Sequence, residues 1–248
     1  MFPLKDNIPT LHFPVVTVTL IALNVIAYFF WQQGGLGLGE PSSEHYLCHV
    51  YDYAEIPYEV THPGDQIGAQ GCGRPAAPTW LTLFTSMFMH GGLLHLGGNM
   101  LFLWIFGNNV EDSMGRVRFL LFYVFGGLAA SALQIAVGPD SEVPSLGASG
   151  AVAGVLGGYL LLFPRARVIT VIFIVFFFTI VELPALLILG FWFLQQILFG
   201  YFELGSAGQE GGVAYFAHIG GFAFGLLAIK LFADERKRRR QLEQARPL

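Results

Sequence analysis

The chain alternates between long uncharged apolar runs and short polar stretches. Residues 14 to 31 (PVVTVTLIALNVIAYFFW) carry no charge. At ~1.5 Å per residue they cover most of a ~30 Å hydrocarbon core. Further apolar runs extend from about His95 to Val110, Phe119 to Val137, Ser149 to Phe163, Val168 to Phe202 and Val213 to Phe232. Such runs predict helices that cross a membrane. Residues 32 to 79 break the pattern with Gly, Pro, several acids, both cysteines and almost no helical periodicity. That stretch reads as a loop of roughly 48 residues, too long for a passive connector.

Composition agrees with this pattern. Charged residues make up 12% of the 248, against about 25% in an ordinary soluble domain. This excludes a disordered tail protein and argues against a soluble enzyme. The net charge of −4, with only a short basic tail, excludes a nucleic-acid binder of the usual kind. The 31 glycines fit membrane helices that approach closely.

The basic residues predict an orientation. With six spans, Lys5, Arg116, Arg118, Arg165, Arg167, Lys230, Arg236, Lys237, Arg238, Arg239, Arg240 and Arg246 share one side, and only Arg74 lies on the other, a split of 12 to 1. The positive-inside bias puts both termini in the cytoplasm. The first run is a retained span, since its flank holds only Lys5 and no small-residue cleavage site follows Trp31. Within Val168 to Phe202 the full span is about 184 to 203. The preceding VITVIFIVFFFTIV is expected at the inner interface or partway into it. The tail ERKRRR reads as a solvated topology signal, with anionic lipid as a possible contact.

Polar residues inside spans are functional suspects. Ser149 follows Gly147 and Ala148 and precedes Gly150, at the start of an apolar helix. It reads either as an N-cap or as a nucleophile whose neighbouring glycines leave backbone amides free for an oxyanion. His218 enters the last span from the same side as Ser149. It reads as a packing residue or as a base. Gly150, Gly154 and Gly158 recur every four residues on one helix, and Gly221 and Gly225 do so on the other. Small faces of this kind bring helix axes together, as a Ser–His pair requires. His95 and Asn99, four apart, share a helix face as donors toward an oxyanion or as a polar patch under a loop.

Taken together, His90 through Asn99 (H-x4-H-x3-N), Gly147-Ala148-Ser149-Gly150 and Ala217-His218-Ile219-Gly220-Gly221 followed by Gly225 resemble the rhomboid intramembrane serine proteases. Glu111-x3-Gly115 matches more weakly. The resemblance covers about residues 14 to 233. It implies an all-α, six-transmembrane-helix bundle over 14–233, including the outer loop 32–79. A cytoplasmic segment 1–13 precedes the bundle and a basic cytoplasmic tail 234–248 follows it. It also implies a dyad with Ser149 as nucleophile and His218 as base, and no acidic third member. Asn99, His95 and the Ser149 N–H form the oxyanion hole, and His90 and Gly147 are supports.

Three departures stand out. Ala153 occupies the place where some relatives carry an aromatic that buttresses the histidine. The Trp-Arg pair of some first outer loops is missing, Arg74 following Gly73 and Trp80 preceding Leu81. The outer loop is long and holds Cys48 and Cys72, a disulfide candidate outside the cytosol. The implied substrates are transmembrane segments of other proteins within the bilayer, with no cofactor and no metal. Residues 203–212 are expected to form a lid, and Phe191, Trp192 and Phe193 to form a lateral gate with the second span. The expected compartment is a bacterial inner membrane. The alternatives are a non-proteolytic rhomboid-like client-binding protein, and a transporter or haem carrier using His90, His95 and His218.

Overall fold

The computed structural model describes residues 2–39, 41–68, 71–73, 77–174, 177–205 and 213–245. Strand β1 (Phe2–Asp6) precedes α1 (Val15–Ile26), which runs on into a π turn, Ala27–Trp31. Two short helices occupy the long polar loop, α2 (Glu44–Tyr53) and α3 (Pro57–Thr61). The expectation of an irregular loop is corrected there. Ser43 caps α2 by accepting from the Tyr46 N–H at 3.2 Å, and Pro57 opens α3, where its missing N–H costs nothing. The structure joins Cys48 on α2 to Cys72.

Helix α4 (Thr79–Thr85) leads through a 3-10 turn to α5 (Leu93–Phe102). A π turn, Leu103–Gly107, carries α5 without a break into α6 (Asn108–Met114). Next come α7 (Arg116–Val137) and α8 (Ser149–Leu162). An antiparallel hairpin follows, β2 (Arg167–Ile174) and β3 (Phe177–Pro184), then α9 (Ala185–Gly205), α10 (Tyr215–Phe232) and α11 (Glu235–Gln244).

The fold is mostly helical but not all-α. β1 pairs with β2, and β2 with β3, in one three-stranded antiparallel sheet. The run expected at or in the membrane interface is this hairpin. Its residues are β-branched and aromatic, which favours a pleated strand, and Pro164 and Pro184 punctuate it at each end. Among the described residues, three helices are long and apolar enough to cross a membrane alone, namely α7, α9 and α10. By length and composition the described residues thus show three of the six expected spans. The apolar stretches Val15–Trp31 and Ser149–Leu162 are shorter, and the α5–α6 rod ends in the polar sequence NNVEDSM.

Helix α8 is central. Every residue from Gly150 to Leu160 is buried, which its apolar, glycine-rich sequence permits on all sides. At the end of the bundle opposite Ser149, carboxylates on α6 fasten the amino-terminal segment. The Val16 and Thr17 N–H groups and the Thr17 hydroxyl donate to Glu111 at 3.0, 2.8 and 2.8 Å. Glu111 thus satisfies orphan amides at the start of α1. Asp112 accepts from the Leu11 N–H at 2.6 Å. Asp6 accepts from Asn109 at 2.6 Å and from the Tyr159 hydroxyl, and burial pushes its carboxyl up to about 7.

The tail is not simply solvated. Asp234 caps α11 through the Arg236 N–H. Arg238 donates to the Leu162 carbonyl at 2.9 Å, and fully buried Gln241 donates to the Asn109 carbonyl at 3.2 Å. Arg239 and Arg240 stay exposed while Arg238 docks on the end of α8 and Gln241 on α6.

Candidate active site

Close backbone contact between α8 and α10 builds the site. A Cβ on Gly221 would collide with the Gly150 carbonyl oxygen, and one on Gly225 with that of Gly154. A Cβ on Gly154 would sit 3.3 Å from the Gly221 oxygen. The two glycine stripes therefore lie against each other, and neither tolerates a side chain. At the Ser149 end this contact brings Ala217 beside Gly150, whose added Cβ would lie 3.8 Å from the Ala217 oxygen. The residues next in sequence to Ser149 and His218 are thus neighbours. Among the described residues no hydrogen bond joins Ser149 to His218. Resting sites often tighten such contacts only with substrate bound.

His218 is buried, and its Nδ1 lies 2.8 Å from Oε1 of Gln196 on α9. The Gln196 amide is itself oriented, because its Nε2 donates to the Trp192 carbonyl at 3.1 Å. Oε1 is therefore the acceptor, Nδ1 carries the proton, and Nε2 keeps its lone pair. The Trp192 ring sits 5.6 Å from the His218 ring. Gln134 on α7 accepts from the Ala217 N–H at 3.0 Å and so satisfies an orphan amide in the first turn of α10.

His95 has the complementary tautomer. The Gly91 N–H donates to its Nδ1 at 3.2 Å, which leaves the proton on Nε2. That nitrogen faces Gly147, where a Cβ would lie 2.9 Å from it and 3.4 Å from Ser149 Oγ. Gly147 has φ +132°, a region L side chains avoid. Glycine is required there twice, by backbone conformation and by the His95 ring. One turn on, Asn99 is buried, and its Nδ2 has no partner among the described residues. Two donor groups, His95 Nε2–H and Asn99 Nδ2–H, thus stand on one face of α5, the first of them beside Gly147.

His90 is fully buried, with its ring edge-on to His95 at 5.2 Å. Gln32 brackets its backbone, accepting from the His90 N–H at 2.9 Å, and the Tyr46 hydroxyl donates to its carbonyl at 3.0 Å. Ser149 itself is only partly buried. It borders a cavity of about 30 Å³ lined also by Glu55, Ser86, Ser131, Ser145 and Ala217. That is space for about one water. Burial pushes the Glu55 carboxyl up to about 7. Its Oε1 has no partner among the described residues.

Of the expected gate, Phe193 stacks on Phe222 at 4.2 Å and Trp192 leans on His218, while Phe191 is exposed. Residues 206–212 of the expected lid lie outside the described residues, as does Arg74. Gln196, Gln134 and Glu55 were missed from sequence. Their only signal was polarity within or beside an apolar run, which names no partner.

A family model for the Rhomboid domain matches residues 77–235. The chain belongs to the rhomboid family. It is 32% identical over 171 residues to Rhomboid protein 1, mitochondrial, of Saccharomyces cerevisiae, covering 66% of this chain and 46% of the relative. It is 31% identical over 147 residues to Rhomboid protease GluP of Bacillus subtilis, covering 59% and 24%. With human Presenilin-associated rhomboid-like protein, mitochondrial, it shares 28% identity over 216 residues, covering 85% and 46%. The chain thus spans less than half the length of each of these rhomboid relatives. Two of the three are mitochondrial by name and one is bacterial, so the expected bacterial membrane gains no preference from them.

Proposed function

We propose that this rhomboid-family protein is an intramembrane serine endopeptidase, with Ser149 as nucleophile and His218 as base. The observation that carries the proposal is the pair of fixed tautomers. His218 keeps a free lone pair on Nε2, and His95 holds an N–H beside Gly147, two residues before Ser149. An acyl-transfer site needs one of each. The relative named as a rhomboid protease supports the same reading.

In this mechanism His218 Nε2 takes the Ser149 Oγ proton as Oγ bonds to the scissile carbonyl carbon. The oxyanion that forms accepts from His95 Nε2–H, Asn99 Nδ2–H and the Ser149 N–H. His218 returns the proton to the departing amine, the C–N bond breaks, and an acyl-enzyme remains. Water then attacks the ester with His218 again as base. The polar cavity beside Ser149 is sized for that water.

The substrates are transmembrane segments of other proteins. Their backbone is hydrogen-bonded within the helix, so helix-breaking residues near the scissile bond favour cleavage. Six passages of the bilayer need the α1, α5–α6 and α8 segments to serve as shorter spans between the three long ones. The basic residues place both termini on the cytoplasm-facing side, and cleavage falls near the opposite face.

The test is cleavage of a model transmembrane substrate in liposomes by wild type, Ser149→Ala and His218→Ala, with fluorophosphonate labelling of Ser149 in parallel. Cleavage and labelling by wild type alone support the dyad. Well-folded wild type that neither cleaves nor labels would leave a client-binding protein.

A further inference from the structure

The nitrogen that must take the Ser149 proton is left free by a residue on a different span. Gln196 is 7% exposed, so water scarcely competes for its amide. Its orientation follows from its own helix, through the bond from Nε2 to the Trp192 carbonyl at 3.1 Å. The opposite end of the amide accepts the His218 Nδ1–H at 2.8 Å. Trp192, one turn earlier, lays its ring 38° from the plane of the His218 ring at 5.6 Å. Phe193 stacks on Phe222 at 4.2 Å and fastens α9 to α10 beside these contacts. On α8 the position four residues after Ser149 is Ala153, buried and without a ring to stack on a histidine.

We infer that Gln196 is the positioning residue for His218, and that the base is competent only while α9 stays packed on α10. The inference rests on the protease reading. A base needs one nitrogen protonated and pinned and the other bare, which a fixed acceptor at Nδ1 supplies. In triads a carboxylate does this. An amide does it here without placing an uncompensated charge in a buried site, where desolvation is costly. It stabilises the imidazolium less, so its contribution is orientation more than charge. Once α9 moves away, both the acceptor and the indole wall leave His218, and the ring is free to rotate.

The experiment uses the full chain in liposomes with a fluorogenic transmembrane substrate and a fluorophosphonate probe. Gln196→Leu keeps the bulk and removes the acceptor. Gln196→Glu keeps an acceptor at the same reach. The Leu variant is expected to lose about 10- to 100-fold in kcat with KM within about twofold, and to label Ser149 more slowly by the same factor. The Glu variant is expected to stay within about threefold of wild type. Nitrogen-15 histidine spectra should show one Nδ1–H tautomer for His218 in wild type and a mixture in Gln196→Leu.

Wild-type kcat in Gln196→Leu overturns the inference and leaves the dyad standing. A lower melting temperature with KM and kcat failing together, unrescued by Glu, also overturns it, because Gln196 would then be a packing residue. Absence of both cleavage and labelling in wild type sinks the protease reading instead. The tautomer spectra still report on the Gln196 contact in that case.

Discussion

Gly221 on α10 rests directly on the carbonyl of Gly150 on α8, with no room for a methyl between them. Gly150 adjoins Ser149 in sequence, and Gly221 lies three residues after His218, so this contact sets the separation of the two chemical groups. Gly221→Ala is expected to push the helices apart, lower the melting temperature by several degrees and abolish cleavage. Gly190→Ala on α9, where nothing lies within 4 Å, serves as the control and should be neutral in both readouts.

In the proposed mechanism the two α5 donors act on the oxyanion and not on the bound substrate. His95→Ala and Asn99→Ala should each reduce kcat by about 10- to 1,000-fold with KM little changed. A double variant losing much less than the product of the two would show that they share one oxygen. Steady-state kinetics on the transmembrane substrate decides this.

Stability should fall as pH rises through neutrality. Asp6 and Glu55 each have carboxyls raised to about 7 by burial, from ordinary values of 3.8 and 4.5. Between those limits the folded chain holds protons that the unfolded chain has released. The contribution is therefore complete below about pH 4 and is lost as pH climbs through about 7, at roughly 1.4 kcal/mol per pH unit for each group. Melting temperatures in detergent should drop between pH 6.5 and pH 8. Asp6→Asn with Glu55→Gln should flatten that slope.

Glu111 carries the start of α1. Replacing it with Ala strands two backbone donors and a hydroxyl in a site only 3% exposed. The expected loss is about 2–4 kcal/mol, read as a lower melting temperature. Ser149 in the fraction that remains folded should still react with the probe, because this contact lies at the other end of the bundle.

The helical framework was legible because its signal is periodic. Four-residue glycine spacing in the Gly150 and Gly221 stripes shows up in one dimension, and so do uncharged runs. Contacts between spans do not. In the run from Val168, neither hydropathy nor the richness in β-branched and aromatic residues distinguishes an apolar strand from an interfacial segment. Its pairing within the hairpin and with Phe2–Asp6 makes it a sheet. Ala153 raised the question of what holds His218, and the answer lies 43 residues later at Gln196. No spacing rule links those positions, because the helix rotation that aims Gln196 at His218 is set by packing. His95 and Asn99, by contrast, lie on one helix, where four residues suffice to place them together.

The sheet at the far end of the bundle has a consequence for how the chain is made. Residues 2–6 are synthesised before α1, yet their partners at 168–171 arrive only after α8 has been synthesised. Glu111, which seats α1, likewise emerges 94 residues after Thr17. Closing loops of this length is slow. The amino-terminal segment therefore waits through the synthesis of α1 to α8 without its native neighbours, with Asp6 in water. Burial of Asp6 under Tyr159 must wait for α8, and it tightens the carboxyl's hold on its proton.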